Sequence, residues 1–166
     1  DDQLRAREIY SGTGVINDID FSHDGSFVAT VSSSGEIALW EFATREIVAN
    51  ATSELVGVSS VSFGPEDKLL ATASFDGSIT LWDVPTLSRV KSFQGASQAL
   101  FDLKYSPSGQ FLSAVRDDGS IQVWDSLSGS LLTQLANEGS ENRTHAWSDS
   151  EKEIFGTGVD FAVLSW

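Results

Sequence analysis

The chain has 166 residues, of which 40 % are hydrophobic and 10 % aromatic, enough for a packed core in one domain. Twenty-four acids against ten Lys and Arg leave a net charge of −14, which repels nucleic acid and anionic membranes and leaves no basic patch to hold them. There is no cysteine for a disulfide or a thiolate metal site, no apolar run approaches the ~20 residues of a membrane span, and no signal peptide is visible.

In chain order, the first expected element is an outer strand at Arg5–Ile9, inside 4-LRAREIYSG-12. One phrase then recurs, as 33-SSGEIALWEF-42, 75-FDGSITLWDV-84 and 117-DDGSIQVWDS-126. Trp40, Trp82, Trp124 and Trp166 are each 42 residues apart, and Phe21, Phe63, Tyr105 and Trp147 keep the same step. Gly35, Gly77 and Gly119 follow it too, with Phe161 in the fourth copy. Two aromatic series locked to one period define a repeat architecture.

One unit shows the plan. An apolar stretch ends at Phe63, and a turn follows with Gly64, Pro65 and Asp67. Then come a run from Leu69 to Ser74, an Asp76-Gly77 turn, a strand from Ser78 to Trp82, and a last strand from Arg89 to Phe93. Short β-rich runs joined by Gly, Pro, Asp and Ser turns predict a four-stranded antiparallel meander. The Asp-Gly pair is a strong hairpin signal. Stepping back by 42 places the first unit's outer strand at Ile47–Ala51. Such a unit cannot cover both its faces and must stack on its neighbours. The expected partition is a closing outer strand in 1–12, full units in 13–54, 55–96 and 97–138, and a three-stranded unit in 139–166. The N-terminal strand would complete that last unit, within one chain or across a dimer.

The phrases FSHDGSFVATVSSSGEIALWE, FGPEDKLLATASFDGSITLWD and YSPSGQFLSAVRDDGSIQVWD resemble the WD40 repeat. Trp82-Asp83 and Trp124-Asp125 keep that family's dipeptide, while Trp40 precedes Glu41 and Trp166 ends the sequence. The resemblance implies an all-β propeller of four-stranded antiparallel blades. In the family, a His before the first strand bonds an Asp in the turn between second and third strands, with a Ser or Thr and the Trp completing the set. The turn Asp is matched by Asp76, Asp118 and Asp160, with Ser34 in the first copy. Ser32 and Ser74 match the hydroxyl, and Arg116 and Gly158 replace it later. The His is matched nowhere, which predicts blades held by apolar packing more than by the family's polar network. The fourth copy, from Arg143 to Trp166, is the most eroded.

Candidate chemistry is sparse. Two isolated His cannot build a zinc site; His23 is expected in a solvated turn, and His145 as a tolerated substitution at an apolar first-strand position. No Gly-x-Ser-x-Gly elbow marks a nucleophile, although a Ser-His-Asp triad is compatible with the composition. Gly12-x-Gly14 and Gly156-x-Gly158 lack the following helix that phosphate binding needs. Asp117-Asp118 sits in no EF-hand pattern. No catalytic residue, metal or cofactor is therefore assigned, and an enzyme with a site in the central channel is a remote alternative.

What remains is a non-enzymatic scaffold. In WD40-like propellers, protein segments dock on the face that bears the turn between second and third strands. That resemblance places Ser33, Phe75, Asp117 and Val159 on the rim, and the first-strand starts add Asn17, Ser59, Phe101 and Arg143. Phe75 and Phe101 are the expected aromatic anchors. The partner is a protein or peptide, with a basic one favoured by charge; nucleic acid and membrane are not expected. A homodimer completing an eight-bladed ring is a further expectation. The alternative role is a C-terminal sensor module of a larger signalling protein, of the STAND NTPase type. Lacking cysteines and a signal peptide, the chain is expected inside the cell, with the sequons at Asn50 and Asn142 unmodified. Lacking an initiator Met, it reads as a fragment or a processed product.

Overall fold

A computed structural model describes residues 14–53, 57–136, 144–157 and 163–165. Fifteen strands form four sheets among these residues, in chain order and without a crossover. The first blade is β1 (Ile16–Phe21), β2 (Phe27–Ser32), β3 (Glu36–Glu41) and β4 (Glu46–Thr52). The second is β5 (Val58–Phe63), β6 (Leu69–Ser74), β7 (Ser78–Asp83) and β8 (Arg89–Gln94). The third is β9 (Leu100–Tyr105), β10 (Phe111–Arg116), β11 (Ile121–Asp125) and β12 (Leu131–Leu135). The fourth has β13 (His145–Trp147), β14 (Ile154–Thr157) and β15 (Val163–Ser165). Every described pairing is antiparallel. The fold is the expected all-β stack of WD40-type blades, and among the described residues it does not close into a ring. The N-terminal strand expected to complete the last blade lies outside the described residues.

The turns explain why each hairpin forms where it does. Gly77 has φ of +82°, and a Cβ there would stand 2.3 Å from the carbonyl of Ala96, so the turn admits only glycine. The Asp76 carboxylate accepts the Ser78 amide (2.9 Å) and hydroxyl (2.7 Å). Asp118 does the same for Ser120 at 3.0 and 2.6 Å. Asp76 and Asp118 therefore each brace their own hairpin without a histidine.

Between blades the core is apolar. Ala29, Val31, Ile37 and Leu39 of the first blade bury against Val61, Phe63, Leu70 and Trp82 of the second. Ala71, Ala73, Ile79 and Leu81 then meet Leu103, Leu112 and Trp124 of the third. Burying each larger side chain is worth roughly 1.5–3 kcal/mol.

Beside this apolar core runs a second system, along the inner strands, that the sequence did not foretell. An inner strand pairs on one side only and leaves the N–H groups of its other edge open. Here the preceding blade supplies acceptors. Asp18 accepts the Val61 amide (2.9 Å) and the Ser60 hydroxyl (2.6 Å), and Asp20 accepts the Phe63 amide (2.7 Å). Ser60 and Ser62 accept the amides of Leu103 (2.9 Å) and Tyr105 (3.2 Å). Asp102 accepts the amide of His145 (2.7 Å). The five amide links each span 43 residues, one repeat plus one position. Burial pushes the Asp20 carboxyl above its ordinary range, against the Phe63 amide that favours its charge.

Candidate functional site

The expected rim residues divide by what their side chains do. In the first two blades the inner strand carries a bulge, so that one extra residue stands between Ile16 and Asp18 and between Val58 and Ser60. A bulge re-aims the side chain it carries. Asn17, though exposed, donates from Nδ2 to the carbonyl of Val58 at 2.7 Å. Ser59 is buried, and its hydroxyl sits between the carbonyls of Ala73 (3.0 Å) and Leu100. Ser59 thus offers a partner nothing, which corrects its place among the contact residues. Both positions tie one blade to the next across 41 residues.

The third blade breaks this pattern, because its corresponding residue is Phe101, which cannot donate. Phe101 is half-buried and packs edge-on against Phe75 of the second blade, with ring centroids 5.8 Å apart and planes at 66°. Phe75 keeps 37 % of its surface in solvent. The two aromatics form one bridge over the seam between blades two and three. Asp117 is exposed on the corresponding turn of the third blade. Beside it, the Arg116 guanidinium pairs with Asp118 at 3.0 Å and also donates to Gln98 and Ser120. Ser33 is exposed at the first-blade turn, where its hydroxyl accepts the Val15 amide at 3.0 Å. Arg143 and Val159 lie outside the described residues.

The opposite face carries a groove between the second and third blades, about 640 Å³ in volume. Pro65, Leu69, Tyr105 and Leu127 line it, with Glu66, Asp83 and Asp125 at its edge. Burial holds the Tyr105 phenol up to about 12.

One polar cluster was not foreseen. His145 is buried where an inert core substitution was expected, yet both ring nitrogens are engaged. Nδ1 lies 3.0 Å from the Asp102 carboxylate and Nε2 lies 2.6 Å from Ser113 Oγ. The Trp147 indole N–H donates to that same oxygen at 2.7 Å. A neutral ring protonated on Nδ1 satisfies the whole relay, from indole to hydroxyl to imidazole to carboxylate. Lys104 stands 3.1 Å from Asp102. Burial lowers the His145 pKa, while the Asp102 carboxyl overcomes its own burial and drops to about 2 through His145 and Lys104.

The order of Asp, His and Ser is that of a hydrolase triad, but Ser113 is fully buried and its oxygen already holds the indole. No face is left for an acyl donor. The relay is instead a clamp between blades three and four. It uses the four residue types of the WD40 polar set, drawn from two blades rather than one. His23 is exposed in its turn as expected, and the Asp67 carboxylate of the next blade accepts its amide (2.8 Å) and contacts its ring (3.0 Å). Among the described residues no group of three or more His, Asp or Glu is placed to hold a metal, and no helix is long and apolar enough to cross a membrane.

Blades stacked by period, three of them built on the same four-strand plan and ending the third strand in Trp and an acid, define a repeat protein of the propeller class. The WD domain, G-beta repeat family matches residues 6–41, 49–83 and 87–125, and the chain belongs to that family. Each match ends at the Trp-acid pair of β3, β7 or β11. WD40 repeats generally serve protein–protein interaction as scaffolds. No curated protein matches the chain.

Proposed function

We propose that this chain is a non-enzymatic platform that holds a protein segment on the rim bearing Phe75 and Phe101, and that the segment is basic. The observation that carries the reading is the aromatic bridge. Two phenylalanines bridge the seam between blades two and three, and one keeps over a third of its surface in solvent. Aromatic side chains so placed are the usual anchors of an interface. Exposed Asp117 and the net charge of −14 favour cationic partners and speed their encounter. An intracellular setting fits a chain without cysteine. The expected homotypic contact would use the blade ends rather than the rim.

The test is selection of a random peptide display library on the immobilised full chain. Enriched peptides should combine Lys or Arg with an apolar residue. Phe75→Ala should weaken them by ~2 kcal/mol, about 30-fold, with little change in melting temperature. Peptides that are acidic, or that bind Phe75→Ala as tightly as the original chain, would refute the reading.

A further inference from the structure

Three successive blade contacts share one geometry, and the first blade presents half of a fourth. Val61 and Phe63 of β5 are 3 % and 1 % exposed, because the first blade covers them. The residues at the same positions of β1, Ile19 and Phe21, are 51 % and 50 % exposed. Phe42 is exposed beside them and packs edge-on against Phe21 at 5.8 Å. The hydrogen bonds differ in the same sense. Amides of Val61, Phe63, Leu103, Tyr105 and His145 are received by the preceding blade. Those of Ile19 and Phe21 fold back onto the carboxylates of their own neighbours, Asp18 and Asp20, at 2.9 Å each.

The repeat specifies what would complete this edge. Receiving side chains stand at Asp18, Ser60 and Asp102, and the next step of 42 is Thr144, just before β13. Thr144 is exposed, and among the described residues its hydroxyl is approached by Lys104, at 3.5 Å. A hydroxyl in this register can accept the Ile19 amide as Ser60 accepts that of Leu103, freeing Asp18 from its own backbone.

We infer that the inner edge of the first blade, Ile19, Phe21 and Phe42, is an interface for the fourth blade of a second copy of this chain, with the Thr144 hydroxyl of that copy accepting the Ile19 amide. The contact is head-to-tail, and two copies joined at both ends contain eight blades. It does not depend on the rim reading, since it uses neither Phe75 nor Phe101. Two chains of charge −14 repel, so association should strengthen as salt screens them.

Sedimentation of the full chain tests this. The unmodified protein should reach twice the 17.9 kDa of one chain at micromolar concentration. Ile19→Asp with Phe21→Asp should weaken association about 100-fold, tenfold for each anchor. Both side chains are half in solvent already, so the melting temperature of the dissociated chain should hold. Thr144→Arg should also dissociate the protein from the other side. Mixing the two variants should restore a dimer, because one intact contact can form between them; a symmetric like-with-like interface would not be rescued. The inference is overturned by a single-chain mass at about 100 μM, by a dimer indifferent to these substitutions, or by a mixture that stays dissociated.

Discussion

Replacing Ser113 by Ala should destabilise the protein far more than the loss of one oxygen suggests. Ser113 Oγ joins the His145 ring to the Trp147 indole, at 2.6 and 2.7 Å. Its removal leaves a buried acceptor at His145 Nε2 and a partly buried donor at Trp147 Nε1. Each orphaned group costs about 1–3 kcal/mol, and a total near 3 kcal/mol corresponds to a fall of roughly 6–12 °C for a chain of this size. Ser113→Thr keeps the hydroxyl and should lose less. The pH dependence identifies the relay. His145 has a folded pKa below its ordinary 6.5, so under acid the unfolded chain takes a proton that the folded chain refuses. The stability from His145 is complete above pH 6.5 and declines as pH falls below it, by at most about 1.4 kcal/mol per unit. His145→Gln should flatten that decline below pH 6.5, while Ser113→Ala, which keeps the buried ring, should retain it. Thermal melts followed by tryptophan fluorescence from pH 5 to 8 measure both effects. A Ser113→Ala protein that melts within 2 °C of the original, or an original chain whose melting ignores pH in this window, would refute the relay as a clamp.

The other predictions use the repeat as its own control. Trp40 and Trp82 donate their indole N–H to Thr30 and Thr72 at 3.0 and 2.9 Å, but the third blade has Ala114 there and the buried Trp124 indole has no acceptor among the described residues. Ala114→Thr should raise stability by about 1 kcal/mol, read as a higher denaturant midpoint; a lower one would mean the added methyl does not fit. Asp18→Ala should strand the Val61 amide and the Ser60 hydroxyl and cost about 2–4 kcal/mol, with Asp18→Asn recovering part of it. Equal midpoints for Asp18→Ala and the original chain would deny that the inner ladder holds the blades together. Asp102, held at about 2, should add an acid transition below pH 4 that Asp102→Asn removes.

The blades were legible because each strand advertises itself locally, through β-branched alternation, a glycine turn and a Trp at a fixed step. Trp82 and Phe63 sit in the core where their period puts them. The contacts between blades were not legible, since they join residues 41 or 43 positions apart whose pairing depends on a bulge. Asn17 and Ser59 were placed on the rim, and the structure adds that the bulge turns both side chains toward the next blade. His145 looked inert because its partners Asp102 and Ser113 belong to the neighbouring unit, and no motif within one repeat contains all three. A comparison offset by 43 instead of 42 would have set Asp102 against His145. Phe75 and Phe101 were placed on the rim from two separate series of the repeat, and the structure adds that their rings touch.

The inner ladder has a direction. Every acceptor sits on an earlier residue and every amide it receives on a later one. On a ribosome, Asp18 and Asp20 are thus in place before Val61 and Phe63 emerge, and Ser60 before Leu103. Each finished blade is a template that can seat its successor without waiting for the end of the chain. Assembly could then proceed in step with synthesis, one repeat at a time, with the first blade's inner edge as the side that no earlier residue among these links serves.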